Sequence, residues 1–370
     1  MRKARILIVD DAVVVRRLVT DVLAAEPGFE VVGAAANGRI ALAKIPQVNP
    51  DLITLDMEMP EMDGLTTLRE IRKLYPKLPV IMFSTLTSRG AAATLDALSF
   101  GANDYVTKPA NVGSIMAGIQ SVRSELVPRI RAFCPWCSDG EQAASPAVVA
   151  AKPVRAAPRI KVRPEIVAIG VSTGGPNALA DLLPRLPADF PLPIVIVQHM
   201  PPLFTKHLAT RLNSQCKFEV VEAAAGDVLR PGKALIAPGD FHMSLVKRGT
   251  QTVVHLDQSP PENSCRPSVD VLFRSVADLY GARTLGLILT GMGQDGLRGC
   301  EWIHDRGGRI VVQDEATSIV WGMPGAVSRA GLADAVVPLD RMAPAIEGAL
   351  AITPPAIDTK ILNHVASACV

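Results

Sequence analysis

Short apolar runs alternate with amphipathic stretches of helical length over roughly the first 125 residues. Runs such as residues 6–9 and 52–55 are typical of buried strands, and the segments between runs have helical spacing. This alternation predicts a parallel sheet covered by helices on both faces. The predicted strands are residues 6–9, 30–33, 52–55, 80–83 and 105–106, and the predicted helices lie near 13–26, 37–47, 64–75, 89–101 and 112–126.

The pattern stops after residue 126 and resumes near residue 164. The stretch between is rich in Ala, Pro and basic residues without a sustained period, which predicts a semi-rigid linker. Residues 252–255, close to Gly249, predict a small antiparallel hairpin. Beyond the linker the predicted strands are 166–169, 194–197, 234–236, 284–289 and 309–312, and the predicted helices are 177–186 and 269–280.

Two α/β domains follow from this pattern, as the length of 370 residues also suggests. The first, residues 1–126, is predicted to be a five-stranded doubly wound, flavodoxin-like domain. After a linker at 127–163, residues 164–352 are predicted to form a three-layer αβα, Rossmann-like domain with a mostly parallel sheet and the hairpin. Residues 353–370 are predicted to form a C-terminal tail.

Composition and charge exclude several classes of protein. The AVILMFWYC residues make up 48% of the chain and charged residues 20%, which excludes disorder of the whole chain. A net charge of +2 argues against a dedicated nucleic-acid-binding protein. No apolar run is long enough for membrane insertion or a signal-peptide core. Six scattered cysteines form no disulfide framework, so we expect a cytoplasmic protein.

Acidic residues follow the predicted strands of the first domain. Asp10 and Asp11 follow the first strand, Asp56 the third, Ser84 the fourth and Lys108 the fifth. Because parallel strands bring their carboxyl ends to one edge, these side chains are predicted to meet there. Three carboxylates need a cation, and oxygen ligands favour Mg²⁺. A carboxylate beside Mg²⁺ can accept a phosphoryl group, with the ammonium balancing its charge. Each Asp taken singly is more typical of a helix cap, and it is the five residues together that favour a functional site.

These residues lie in four motifs: Val9-Asp10-Asp11, the run from Asp56 to Gly64, Phe83-Ser84-Thr85 and Thr107-Lys108-Pro109. With these motifs, the first domain resembles the response-regulator receiver family. The resemblance implies that Asp56 is the phosphoacceptor and that a histidine kinase is the phosphodonor. It also implies that Asp10, Asp11, Asp56 and the carbonyl of Glu58 bind Mg²⁺, and that Ser84 and Lys108 contact the phosphoryl group.

A hydroxyl, an imidazole and a carboxylate follow three strands of the second domain. Ser172 follows the first strand within a G-x-S-x-G motif, His199 follows the second, and Asp295 lies in a Gly-rich loop after a later strand. A nucleophile, a base and an orienting carboxylate at one sheet edge predict acyl transfer. The amide of Met292, in the same loop as Asp295, is a candidate donor to the oxyanion.

Several alternatives stay open at this point. The glycines around Ser172 also suit a phosphate cradle at a helix N-terminus. His242 is the second candidate base, and Asp240 and Asp270 are rival carboxylates, although Asp270 suits a helix cap. The order Ser, His, Asp differs from that of the α/β-hydrolase fold, so the elbow-like motif is a local similarity.

The second domain carries five further motifs: Ser172-Thr173-Gly174-Gly175, Gln198-His199-Met200-Pro201, the run from Ala237 to Met243, the run from Arg266 to Phe273, and Thr290 to Gly296. With these motifs, the whole chain resembles the CheB family of chemotaxis protein-glutamate methylesterases. The resemblance implies catalysis by Ser172, His199 and Asp295, with Thr173, Met292 and His242 as neighbours of the site. It implies hydrolysis of γ-glutamyl methyl esters on the cytoplasmic helices of chemoreceptors, deamidation of selected glutamines, and no cofactor for the ester reaction.

Two other functions remain as alternatives: a non-catalytic module that binds receptors or a kinase, and an esterase of another pathway. We expect the receiver to control the esterase by covering its site until Asp56 is phosphorylated. Cys134 and Cys137 form a C-x-x-C motif within the predicted linker. Without a second cysteine pair, this motif favours packing over a redox or zinc role.

Overall fold

The structure is a computed structural model that describes residues 2–108, 115–137 and 162–351. Its N-terminal part is a five-stranded parallel sheet with the order β2-β1-β3-β4-β5. The strands are β1 (Ala4–Val9), β2 (Phe29–Ala35), β3 (Leu52–Asp56), β4 (Val80–Ser84) and β5 (Asp104–Thr107). The helices are α1 (Val13–Ala24), α2 (Gly38–Val48), α3 (Gly64–Leu74), α4 (Ser88–Ser99) and α5 (Ile115–Phe133).

Helices cover both faces of this sheet because alternate strand residues face opposite sides. Leu7 and Val9 of β1 belong to an apolar core shared with α2, α3 and α4. Ile6 and Ile8 belong to a second core shared with α1 and α5. The predicted five-stranded doubly wound fold is therefore confirmed.

The C-terminal part contains a seven-stranded, wholly parallel sheet with the order β14-β13-β12-β6-β7-β9-β8. Its strands are β6 (Ile166–Val171), β7 (Ile194–Gln198), β8 (Glu219–Glu222), β9 (Lys233–Ile236), β12 (Thr284–Ile288), β13 (Arg309–Gln313) and β14 (Ala335–Val337). The strands β10 (His242–Arg248) and β11 (Gln251–Asp257) form a separate antiparallel hairpin.

Six helices complete the three layers. One face of the sheet packs against α6 (Gly175–Leu182), α7 (Phe204–Gln215) and α11 (Leu339–Leu350). The other face packs against α8 (Val269–Tyr280), α9 (Leu297–Asp305) and α10 (Met323–Arg329). The predicted αβα domain and its hairpin are confirmed. No helix in the described part of the chain is long and apolar enough to cross a membrane.

The hydrophobic pattern misses two strands and three helices (α9, α10 and α11), and it places the end of one helix too early. Both missed strands, β8 and β14, are short strands at the sheet edges, and partial exposure of their residues weakens the apolar signal. The helix α5 continues to Phe133, seven residues past the predicted end at 126, because Leu126, Val127 and Ile130 stay buried in the receiver core. Pro128 lies within this helix.

The C-x-x-C motif lies at the end of the receiver rather than in an extended linker. Cys134 and Cys137 are buried free cysteines in the core shared with α1 and α5. Burial raises the pKa of the Cys134 thiol to about 12, which disfavours a reactive thiolate. This placement supports the packing interpretation. The remaining part of the predicted linker, residues 138–161, and the predicted tail, 353–370, lie outside the described residues.

The two domains pack directly against each other. The ring of Tyr105 in β5 stacks on that of Phe204 in α7, with centroids 4.9 Å apart. Helix α4 lies against α6 and α7, and Arg211 of α7 forms a salt bridge of 2.9 Å with Asp96 of α4. The half-buried His207 of α7 shares a hydrogen bond of 2.8 Å with Ser88. The α4–β5 side of the receiver therefore faces the second domain.

Candidate functional site

The predicted acidic pocket of the receiver forms at the carboxyl ends of β1, β3 and β5. Carboxylate oxygens of Asp10, Asp11 and Asp56 lie within 4.8 Å of one another. The Lys108 ammonium contacts Asp10 at 2.9 Å and Asp56 at 2.8 Å. Asp10 and Asp56 are buried, whereas Asp11 is exposed. The geometry thus brings together four of the five residues predicted to meet at this edge.

The charges in this pocket fit a hard divalent cation. Burial raises the pKa of Asp56 to about 6, and Asp10 adds to this effect, while Lys108 opposes it. Three clustered carboxylates with one ammonium leave excess negative charge, which a cation with oxygen ligands would neutralise. Asp10, Asp11 and Asp56 therefore fit the predicted Mg²⁺ ligands.

Two other predicted receiver residues lie near this pocket with different contacts. The hydroxyl of Ser84 is buried and donates to the Gly90 carbonyl at 3.2 Å, while it accepts from Thr94 at 2.6 Å. It therefore bonds to α4 rather than to Lys108. The amide of Glu58 approaches an Asp56 carboxylate oxygen at 3.4 Å, so the segment that contains Glu58 passes beside Asp56. Pro109 lies outside the described residues.

In the second domain, Ser172 lies in a tight turn between β6 and α6. Gly174 adopts a left-handed conformation with φ of 78°, which a side chain would strain. A Cβ on Gly175 would lie 1.9 Å from the Gln198 side-chain oxygen, so the glycine permits close packing of the turn. The Ser172 amide donates to the Thr290 carbonyl at 3.0 Å. These contacts fix the serine backbone at the sheet edge.

His199 and Asp295 meet as the sequence predicts. The Nε2 atom of His199 lies 2.7 Å from the Oδ2 atom of Asp295. His199 follows β7 directly, and Asp295 comes from the loop between β12 and α9. The pair is largely shielded, with the Asp295 side chain 3% exposed and that of His199 14%. The imidazole is thereby oriented by a buried carboxylate.

Asp295 also caps the N-terminus of α8. Its Oδ2 atom accepts from the Val269 amide at 2.7 Å, and its Oδ1 atom accepts from the Ser268 hydroxyl at 2.8 Å and from Asn263 Nδ2 at 2.9 Å. Burial opposes ionisation of Asp295, but the contact with His199 and these hydrogen bonds lower its pKa. Burial also opposes protonation of His199. The contacts with Asp295 and Cys265 have the larger effect, so the pKa of His199 is raised.

Ser172 lies beside His199 without a hydrogen bond to it in the described structure. Both residues line one small cavity. Because Nε2 of His199 is bonded to Asp295, the ring nitrogen that remains for the serine is Nδ1. That nitrogen lies 3.6 Å from the Sγ atom of Cys265. The sequence analysis missed Cys265, since no spacing pattern links this single cysteine to His199, although it directly precedes the run from Arg266 to Phe273.

Two backbone amides near Ser172 have no hydrogen-bond acceptor within the described part of the chain. They belong to Thr173, which follows the serine, and to Met292, in the loop that also carries Asp295. A Cβ on Gly291 would lie 2.9 Å from the Ser172 Cβ, so this loop passes directly against the serine. The amides suit stabilisation of an oxyanion.

The rival residues of the sequence analysis have other contacts. His242 is buried, and its ring nitrogens contact the Pro260 carbonyl at 3.2 Å and the Ser268 amide at 3.3 Å. Asp240 pairs with Arg266 at 3.0 Å. Asp270 accepts from the Gly299 amide at 2.6 Å, so it connects α8 to α9. These residues support the loops around the site.

The receiver covers the serine. The hydroxyl of Thr173 donates to the Asp104 carboxylate of the receiver at 3.0 Å, and Arg129 donates to the same oxygen at 3.1 Å. Asn177 of α6 donates to the Leu98 carbonyl at 2.8 Å. A cleft of about 560 Å³ lies between the domains, next to these hydrogen bonds. Its lining includes Tyr105 and Arg129 of the receiver, and His199 and Cys265 of the second domain. Sequence reasoning did not identify Asp104 or Arg129.

Comparison with known proteins agrees with both domains. The model of the CheB methylesterase family matches residues 167–346, and that of the response regulator receiver domain matches residues 6–120. A protein-glutamate methylesterase/protein-glutamine glutaminase of Trichodesmium erythraeum is 57% identical over 93% of this chain and 98% of its own length. The protein of the same name from a Nocardioides species is 50% identical over 95% of this chain and 97% of its own.

Among solved structures, that of the Thermotoga maritima CheB methylesterase catalytic domain is 44% identical. It covers 50% of this chain and 98% of its own, with a TM-score of 0.49. The high identity to the full-length relatives extends through both domains. The chain therefore belongs to the CheB methylesterase family, with a response-regulator receiver domain preceding the methylesterase domain.

Proposed function

We propose that this protein hydrolyses γ-glutamyl methyl esters on chemoreceptors, and deamidates receptor glutamines, under control of its receiver. The observation that carries the proposal is the 2.7 Å contact between His199 and Asp295 beside the turn that holds Ser172. The relatives are protein-glutamate methylesterases/protein-glutamine glutaminases, which indicates the reaction, and the site contains the groups that such a reaction needs.

In the proposed mechanism, the Ser172 Oγ atom attacks the ester carbonyl and its proton passes to Nδ1 of His199. Asp295 holds the Nε2–H and stabilises the imidazolium. The Thr173 and Met292 amides stabilise the oxyanion. The imidazolium then gives its proton to the departing methoxide, which leaves as methanol. Water, deprotonated by His199, attacks the acyl-enzyme carbonyl. The bond to Ser172 Oγ then breaks, the imidazolium returns the proton to Oγ, and glutamate leaves.

The unphosphorylated receiver keeps substrate away from Ser172 in this proposal. Asp104 and Arg129 lie against the Ser172 turn, and a receptor helix cannot reach the serine while they remain there. Phosphorylation of Asp56 would weaken the contact between the domains. Coupling energies between such sites are typically about 1–3 kcal/mol, so activation should be graded.

The phosphorylation reaction needs a cation and a donor. Asp10, Asp11, Asp56 and the Glu58 carbonyl would hold Mg²⁺, with Ser84 and Lys108 as contacts of the phosphoryl group. Mg²⁺ neutralises the charge of the incoming phosphoryl oxygens when bound. A histidine kinase is the proposed donor, receptor cytoplasmic helices are the proposed substrate, and the cytoplasm is the proposed location. The ester reaction itself would use no cofactor.

Methanol release from methylated receptor membranes tests the activity. We expect release by the wild type and loss of about 10⁴-fold or more in rate for Ser172→Ala. His255→Gln, at an exposed histidine of the hairpin, is the control and should retain the wild-type rate. Receptor binding without methanol release would contradict the proposal and favour a binding module instead. Equal rates for Ser172→Ala and wild type would contradict the assignment of Ser172 as the nucleophile.

A further inference from the structure

A thiol and an imidazole meet on the wall of the cleft between the domains. Cys265 Sγ lies 3.6 Å from His199 Nδ1, and both side chains line the cleft of about 560 Å³. The proposed reaction uses the His199 imidazole as a base, and the Cys265 thiol has no role in it. Sulfur and imidazole nitrogen are the donor pair that zinc and other borderline or soft divalent metals prefer.

The separation of these two atoms fits a tetrahedral metal. Zinc binds imidazole nitrogen at about 2.0 Å and thiolate sulfur at about 2.3 Å, so a tetrahedral angle places the two ligand atoms about 3.5 Å apart. The observed 3.6 Å is close to this value. Little movement of either side chain is needed for both to reach one ion.

The hydrogen bond to Asp295 prepares the histidine for a metal. Because Asp295 binds Nε2 at 2.7 Å, a neutral ring carries its hydrogen on Nε2 and presents the Nδ1 lone pair to the cleft. A carboxylate behind a metal-binding histidine is a recurrent arrangement in zinc sites. The Sγ atom, a ring nitrogen and an Asp295 oxygen all lie within 4.8 Å of one another.

The surroundings also permit a cation. A volume of about 560 Å³ leaves room for the waters that would complete the coordination of an ion with two protein ligands. The two guanidinium groups of the cleft are both paired with carboxylates, Arg129 with Asp104 and Arg266 with Asp240. Their positive charge is thus partly neutralised.

We infer that His199 and Cys265 form an inhibitory site for Zn²⁺ or a similar metal. Binding replaces the proton of the Cys265 thiol and, where the imidazole is protonated, the proton on Nδ1 of His199, and the released protons pass to solvent. No oxidant or reductant takes part. The inhibition rests on the proposed function of His199 as base, whereas metal binding itself does not.

Binding can be measured without any activity. The full-length protein is titrated with Co²⁺, and we expect a thiolate-to-cobalt charge-transfer absorption that Cys265→Ser loses. Cys216→Ser, at a half-buried cysteine after α7, is the matched control and should keep it. Equal absorption for wild type and Cys265→Ser would overturn the site. This result decides the site even if no methylesterase activity is found.

Inhibition is measured as the ratio of unstimulated methanol release with and without micromolar Zn²⁺ for each variant. We expect at least a tenfold loss for wild type and Cys216→Ser, reversed by a chelator, and less than a twofold loss for Cys265→Ser. Mg²⁺ at the same concentration should not inhibit, because hard cations bind thiolates poorly. Equal inhibition of Cys265→Ser, or inhibition that a chelator does not reverse, would overturn the proposal.

Discussion

The Thr173 hydroxyl, one residue after the proposed nucleophile, donates a hydrogen bond of 3.0 Å to the Asp104 carboxylate of the receiver. Asp104 is 5% exposed and begins β5, the strand that leads to Lys108 of the acidic pocket. A short strand thus connects the acidic pocket to the residue that contacts the Ser172 turn. This connection gives the receiver a direct physical route to the serine.

Asp104→Ala should raise the methanol-release rate of the unphosphorylated protein. One hydrogen bond contributes about 1 kcal/mol, so its loss should favour the open arrangement by about fivefold and reduce further stimulation by a phosphodonor. The rate without donor is the readout. Asp96→Ala is the control, because its salt bridge with Arg211 lies at an exposed edge of the same interface and should contribute little. An unchanged unstimulated rate for Asp104→Ala would contradict this role.

Asp295→Asn should lose both activity and stability, whereas Ser172→Ala should lose activity alone. The amide cannot hold the imidazole as the carboxylate does, so a loss on the order of 10⁴ in rate is expected. Asp295 also caps α8 through Val269, Ser268 and Asn263. The melting temperature should fall for Asp295→Asn and stay near wild type for Ser172→Ala. Equal melting temperatures for the two variants would contradict the capping role.

Ser268→Ala should reduce kcat more than Asn263→Ala does. Both side chains donate to Oδ1 of Asp295, but Ser268 is fully buried and Asn263 is exposed. Loss of a hydrogen bond to a buried charged group costs about 1.5–3 kcal/mol, whereas water can replace an exposed donor. Steady-state kinetics should show roughly a tenfold or greater fall for Ser268→Ala and a smaller one for Asn263→Ala. The reverse order would contradict the account of Asp295 positioning.

Asp270 should make stability depend on pH in a way that Asp270→Asn removes. Burial, with a contribution from nearby Asp295, raises the pKa of Asp270 from 3.8 to about 6. The folded state therefore binds more protons than the unfolded state between these values, and wild-type stability falls as pH rises through this range. The free energy of unfolding of wild type relative to Asp270→Asn should decrease by on the order of 1–3 kcal/mol from pH 4 to pH 7. A constant difference in urea unfolding across this range would contradict the raised pKa.

Much of the fold follows from local patterns in the sequence. The strands β1, β3, β4, β6 and β7 are continuous apolar runs because both faces of each are covered, and this gives a strong signal. The topology of parallel sheets then brings the residues after these strands to one edge. For this reason the meeting of Asp10, Asp56 and Lys108, and that of His199 and Asp295, could be predicted.

The remaining features depend on how distant segments pack. Thr173 and Asp104 meet only because α4 and β5 of the receiver dock on α6 and α7, and neither residue carries a sequence pattern that specifies docking. Cys265 reaches His199 through an irregular loop across 66 positions of the chain. The hydroxyl of Ser84 turns to Thr94 and Gly90 of α4, a choice of rotamer that spacing along a strand does not determine.

The most direct test of the central claim is the effect of a small phosphodonor on methanol release from methylated receptor membranes. Wild type and Asp56→Ala are compared with and without acetyl phosphate and Mg²⁺. The account predicts that the donor raises the wild-type rate and leaves Asp56→Ala at its unstimulated rate. Stimulation of Asp56→Ala equal to that of wild type would contradict control through Asp56, and wild-type release that the donor leaves unchanged would contradict control by the receiver altogether.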